Sequence, residues 1–240
     1  MTKENVKRYT VLGILFFLPV AFLLLLLPAK HHYIPLDIVK YQVNELSGFS
    51  GEQETIKLED HISVVGFWGL HPMEESVSAS NIKEMIYDKF KGFKKFQVVI
   101  VVPSSAKAEA EKLKAEISSY EELTYFYLVY GSPSSITSFY SGLKTQQTLN
   151  SDLATDEVFI VDKDLNQRGR LDDREEKEKA NNKPSKELTS YNTIKIAELK
   201  NKFGDDFRVL FQEYREKRKG TFQSSDERRA YEIKPDHEQD

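Results

Sequence analysis

The sequence contains no cysteine. That absence excludes a disulfide framework, a thiol nucleophile, an iron–sulfur cluster and a CxxC redox couple. It also lacks a clear excess of either charge: 34 Lys+Arg stand against 38 Asp+Glu, a formal net charge of -4. Nucleic-acid binding driven by phosphate neutralisation is therefore not expected. The 11 glycines are dispersed, and no phosphate loop, nucleophile elbow or Ser–His–Asp spacing is visible. No enzymatic activity is expected. Nor does any stretch repeat at a fixed period.

What the chain does have is one long apolar run. Residues 11–28 read VLGILFFLPVAFLLLLLP, without a charge. At about 1.5 Å per residue this run spans about 27 Å, enough for a bilayer core. Pro19 falls mid-run, which a membrane helix tolerates better than a soluble one. Lys3, Lys7 and Arg8 precede it, so the positive-inside rule puts residues 1–10 in the cytoplasm; Lys30, His31 and His32 follow and blunt the asymmetry. The rival is a cleaved signal peptide. Its one small-residue cleavage position, Ala29, lies between Pro28 and Lys30, a poor site, and without cysteine there is no lipobox. The expectation is a single-pass inner-membrane (cytoplasmic-membrane) protein anchored through residues 11–28, its main domain periplasmic or otherwise extracytoplasmic. A cysteine-free domain suits an oxidising compartment.

Residues 29–53 read as a stalk, broken by Pro35, Gly48 and Gly51. A regular pattern then begins. Ile62–Trp68, Phe96–Val102, Leu123–Tyr130 and Glu157–Val161 are apolar runs of buried-strand length. Ile82, Ile86, Phe90 and Phe93 recur at helical spacing and predict a helix over 77–92. Ala110, Leu113 and Ile117 predict a second helix after Pro103-Ser104-Ser105. Ser132 as N-cap with Pro133 at N1 starts a third, carrying Ile136, Phe139, Tyr140 and Leu143. Residues 162–166 make a turn, and Gln167–Leu171 returns as a hairpin partner. Strands alternating with helices before a closing hairpin predict an α/β sandwich with a mixed sheet, the order of a thioredoxin-like fold with an inserted helix and strand.

Beyond residue 162 the composition shifts: residues 163–240 hold 19 basic and 18 acidic side chains. Residues 172–184 read as a solvated loop. Ile194, Ala197 and Leu199 suggest a short helix, and Phe207, Leu210, Phe211 and Tyr214 a longer one over 205–219, with Asp205 and Asp206 complementing its N-terminus, Lys217–Lys219 its C-terminus and Gly220 its stop. Residues 220–240 read as a disordered tail. The division expected is thus anchor 11–28, stalk 29–53, thioredoxin-like three-layer domain 54–171, and charged helical extension 172–219.

The order of motifs resembles the Sco/SenC family of thioredoxin-like, membrane-anchored copper chaperones. Residues 66–76 (GFWGLHPMEES) stand where that family carries F-x-H-C-P-x-x-C-P. Residues 129–133 (VYGSP), with Ile136 and Tyr140, resemble its L-T-G-S-x-x-x-I stretch, and residues 158–166 (VFIVDKDLN) its Y-L-I-D-x-x-G hairpin. The resemblance covers residues 54–171. It implies the fold and a setting in cytochrome oxidase assembly. It also implies copper bound through two cysteines and a distant histidine, and there this sequence departs: His71 and Glu75 fall on the cysteine positions and Ala154 on the histidine. Soft thiolate sites select Cu(I), and none remains. The expected function is a non-redox protein-interaction module, accessory to respiratory complex assembly, with the oxidase or its assembly factors as partner. The alternative is a copper-binding accessory protein using His71 with Met73 or Glu75.

Other clusters have simpler readings. Glu74, Glu75 and Ser76 complement a helix dipole, with Pro72 shaping the loop. His31 and His32 read as interfacial anchors beside Tyr33 rather than as ligands with His61. Asp162, Asp164 and Asn166 mimic the start of a calcium loop, but Gln167 replaces its glycine and Asp173 its bidentate glutamate, so a hairpin turn is expected. The pairs Glu74–Glu75 and Asp172–Asp173 read as solvated carboxylates.

Overall fold

A computed structural model describes residues 3–26, 33–51, 56–119 and 121–222. The chain divides at Ile34/Pro35 into two units. The first is helix α1 (Lys3–Leu26), which contains Pro19. Its Lys7–Leu24 window has mean hydropathy 1.6, long and apolar enough to cross a membrane by length and composition. Residues 27–28 of the expected span, together with His31 and His32, lie outside the described residues.

The second unit is built, in chain order, from β1 (Asp37–Lys40), β2 (Ser50–Gly51), β3 (Ile62–Trp68), α2 (Ser76–Asn81), α3 (Asp88–Phe90), β4 (Phe96–Pro103), α4 (Lys107–Ser118), β5 (Phe126–Gly131), α5 (Pro133–Ser141), β6 (Ala154–Val161), β7 (Gln167–Gly169), α6 (Glu176–Ala180), β8 (Tyr191–Asn192) and α7 (Gly204–Lys219). The sheet runs β1-β7-β6-β3-β4-β5-β2, and β8 pairs with β6. Strands β3, β4 and β5 are parallel neighbours, and β6 lies antiparallel on the other side of β3. A central β3 with a parallel β4 on one side, reached through a helical crossover, and the closing β6–β7 hairpin on the other is a thioredoxin-like arrangement. The inserted helix and strand are α4 and β5, since α4 shares the face of α2, α3 and α7 while α5 lies on the other.

Strand periodicity splits the core in two. Val64, Val98, Ile100, Phe126, Leu128 and Ile160 face α2, α3, α4 and α7. Val65, Phe67, Val99, Val101, Val129 and Phe159 face α5 and the lead-in around Val43, Leu46 and Leu58. Both faces of the central strands are covered, which is why their sequences are continuous apolar runs. Ser132 caps α5 as expected, its Oγ accepting from Ser135 N at 3.1 Å.

Three features depart from the sequence reading. Part of the stretch read as a stalk joins the sheet: β1 pairs with β7 and β2 with β5. The helix expected over 77–92 is a 3₁₀ turn over Pro72–Glu75, then α2, a π turn over Ile82–Tyr87, and α3, ending at Phe90. Phe93, expected on its apolar face, is 44% exposed and stacks on Phe211 at 4.2 Å. The third departure is the charged extension, which is core. Phe203, Phe207 and Leu210 are fully buried against Phe90 and Phe96. Residues 172–184, read as a solvated loop, contain α6 and a buried Asp173. The expected tail beyond Phe222 lies outside the described residues.

Beneath α7 lies a buried charge cluster. Arg168 donates to Asp162 Oδ2 at 2.9 Å, to Glu213 and to the carbonyl of Leu36 at 2.6 Å, while Lys217 bridges Glu213 at 2.8 Å. Burial alone would lower the Arg168 pKa; Glu213 and Asp162 outweigh it and keep the guanidinium charged. Asp206, read from sequence as a dipole complement, is instead buried, bridged by Arg170 at 2.7 Å and accepting from the Tyr191 hydroxyl at 2.7 Å. The Asp162 turn is the expected hairpin turn: Asp162 Oδ1 accepts from Asp164 N at 3.0 Å and Asn166 N at 2.9 Å.

Candidate functional site

The site is the loop that leaves β3. Gly69 turns the chain out of the sheet at φ +65, a conformation that costs a side chain strain. A Cβ there would also lie 2.4 Å from the Asp152 carbonyl. Leu70 N donates to that carbonyl at 2.7 Å, tying the loop to residues 150–154. Pro72 is buried and starts the 3₁₀ turn, and Met73 N donates to Glu109 Oε1 at 3.0 Å.

The three expected site residues share this turn but enter different surroundings. His71 is exposed at its start. Met73 is partly buried and packs against the core cluster. Glu75 is half-buried near Asp156 and Glu74; burial first, then those carboxylates, push its pKa up to about 7. Ala154 stands at the start of β6, opposite Trp68 of β3, so the position matched to the family's histidine does adjoin the loop and offers only a methyl group. Among the described residues no group of three or more His, Cys, Asp or Glu side chains is placed to hold a metal. The donor set does not fit a soft copper site, which wants three or four converging ligands: there is no thiolate, and the Met73 thioether packs against the core cluster while His71 is exposed.

Other residues complete the surroundings and were not singled out from sequence. Ser78 Oγ lies 2.8 Å from Thr193 Oγ1, and Asn81 Nδ2 donates to the Thr193 carbonyl at 2.8 Å. Thr193 in turn donates through N and Oγ1 to the Asp156 carbonyl at 2.8 and 2.7 Å. These bonds bring α2, the middle of β6 and residues 193–196 to one face. Next to these bonded residues in sequence, Ile194, expected to start a helix, is 44% exposed, Ile196 is 51% exposed and Val77 is 59% exposed.

No family model matches the sequence, and no curated protein matches it. Sco proteins are among its structural neighbours. The chain is similar to BsSco, described as a member of the Sco family of cytochrome c oxidase assembly proteins, at 10% identity and TM-score 0.43, over 72% of this chain and 96% of that one. A SCO1/SenC family lipoprotein from Bacillus anthracis str. Ames is 14% identical at TM-score 0.46, over 71% and 96%. A putative electron transfer protein from Aquifex aeolicus VF5 is 10% identical at TM-score 0.47, over 72% and 94%. The thioredoxin-like assignment itself rests on strand order and crossovers.

Glu75 gives the site a pH signature. Its folded pKa of about 7 lies above the ordinary 4.5, so the native state holds this proton more tightly than the unfolded chain. The stability this contributes is complete below about pH 4.5 and is lost as the pH rises through about 7. Glu75→Gln removes the dependence. The variant should therefore gain on the parent as pH rises from about 4.5 to about 8, by about 1 kcal/mol once solvent screening at a half-exposed position is allowed for. Thermal melts of both proteins across that range check this, and a difference that does not change with pH contradicts it.

Proposed function

We propose that this chain is a membrane-anchored, extracytoplasmic protein-interaction module, accessory to the assembly of a respiratory oxidase and working without thiol chemistry. The observation that carries the reading is the β3 loop. Its sharp turn and bonds to neighbouring elements are built as a site is built, yet the positions matched to copper ligands hold His71, Glu75 and Ala154. A scaffold that keeps this loop without thiols is suited to contact rather than to electron or copper transfer. The basic residues before the apolar helix support an N-terminus in the cytoplasm and the second unit outside it. The oxidase setting comes with the motif order in residues 54–171.

Affinity purification of the tagged full chain from mild detergent tests the reading, alongside oxidase levels in a deletion strain. Co-purification of oxidase subunits or assembly factors, with reduced oxidase on deletion, is the expected result. Recovery of the chain alone, with normal oxidase, counts against it.

A second reading is metal binding by His71 with Met73 or Glu75. It is favoured by one observation, the half-buried Glu75 crowded by Asp156 and Glu74, since a cation relieves such crowding. Titration of the same protein with Cu(I) and Cu(II), beside His71→Ala, separates the two: binding lost in the variant supports the metal reading, and no binding in either sinks it.

A further inference from the structure

Around the β3 loop the surface combines two properties. The first is unpaired negative charge. Glu74 and Asp156 are exposed, Glu75 sits close enough to both for their charges to raise its pKa, and among the described residues none of the three enters an ion pair. Several acids elsewhere on the surface are paired: Asp88 with Lys83 at 2.9 Å, Glu121 with Lys91 at 2.6 Å, Glu187 with Lys144 at 2.8 Å, Asp172 with Arg174 at 2.7 Å and Asp205 with Arg208 at 2.8 Å; the exposed Glu59, Asp60, Glu84 and Glu122 are scattered acids outside this loop. The second property is exposed aliphatic surface. Val77 adjoins Ser78, and Ile194 adjoins Thr193, the two residues hydrogen-bonded across the face at 2.8 Å; Ile196 lies two residues further on. All three side chains are more than two-fifths exposed. Lys195 is the one basic residue interleaved in that segment.

Resting on the interaction-module reading, we propose that this face docks a basic segment of a partner protein, one that carries aliphatic residues beside its lysines or arginines. The partner's aliphatic side chains cover Val77, Ile194 and Ile196, and its cations meet Glu74, Glu75 and Asp156. In such a pairing the cations neutralise the carboxylates and the aliphatic groups leave water together. Electrostatic complementarity of this kind sets orientation and encounter rate, while the buried aliphatic contact supplies most of the affinity. An anionic lipid surface is disfavoured by the same three charges.

The test uses the full chain in detergent micelles and three labelled peptides followed by fluorescence anisotropy: an alternating Lys/Ile peptide, the same peptide with Glu for Lys, and the same with Ser for Ile. Only the first should bind, with affinity falling several-fold between about 50 and about 300 mM salt. Two double variants, Val77→Ser with Ile194→Ser and Glu74→Gln with Asp156→Asn, should each weaken it by about tenfold. A control, Glu84→Gln with Glu116→Gln, makes the same charge change elsewhere and should leave binding intact. Equal binding by both site variants and the parent overturns the proposal, as does equal binding of the Glu or Ser peptide. So does binding of the Lys/Ile peptide that appears only with added divalent metal. Failure here is distinct from failure of the parent reading. If tagged protein carrying the Val77→Ser and Ile194→Ser changes still captures the oxidase factors that the parent captures, the module stands and this face is not its docking surface.

Discussion

Replacing Arg168 with alanine should cost about 3–5 kcal/mol of stability. The guanidinium is 3% exposed and neutralises two carboxylates that are equally buried, Asp162 and Glu213. It also satisfies the Leu36 carbonyl just before β1. The alanine variant leaves those carboxylates facing each other out of water with only Lys217 at hand. Removing one member of a buried cluster is far costlier than replacing the whole cluster by apolar groups, because the stranded charge keeps its desolvation penalty. A second variant separates charge from packing. In Arg168→Met with Asp162→Asn and Glu213→Gln the buried charge is gone, and much of the loss should be recovered. Urea unfolding of the three proteins measures this. If Arg168→Ala and the triple variant unfold at the same urea concentration, the cluster is not what fixes α7 to the sheet.

Phe207→Ala should be nearly as severe, at about 3–5 kcal/mol. The ring is fully buried and makes contacts at 4.8 Å with Phe90, 5.7 Å with Phe96, 5.0 Å with Phe203 and 5.1 Å with Phe211. Residues 90 and 96 belong to the early part of the fold, and residues 203–211 to the charged helical extension. Truncation opens a cavity between them and removes edge-on ring contacts. The midpoint in urea should fall with the slope unchanged, as for a cavity in a cooperatively folding domain. Phe93→Ala is the comparison: that ring is 44% exposed, and its stack on Phe211 should be worth about 1 kcal/mol. Equal effects at the two positions contradict the burial argument.

These two positions also show where sequence reading ran out. Strands β3 and β4 were legible because both their faces are buried, which leaves an uninterrupted apolar run. Helix α5 was legible from Ser132 and Pro133, whose capping is local. Strands β1, β2 and β8 span two to four residues and carry polar side chains, so their pairing depends on partners about 80 or more residues away for β2 and 130 for β1. The buried roles of Arg168 and Asp206 were illegible for the same reason: their partners, 45 and 36 residues distant, turn surface-type residues into core ones. At the site, the loop and its three singled-out residues were visible as a motif. The face around them was not, because Asp156, Thr193 and Ser78 meet only in three dimensions.

Trp68 is the chain's one tryptophan. It is 1% exposed, packs against Phe126 with ring centroids 5.8 Å apart, and lies opposite Ala154 beneath the β3 loop. Its indole N–H has no partner among the described residues. The indole emission of this protein therefore comes from a single buried residue directly before the β3 loop, free of background from any second indole. Blue-shifted, quencher-resistant light marks the buried indole, and a red shift on adding a peptide or a metal ion marks its exposure.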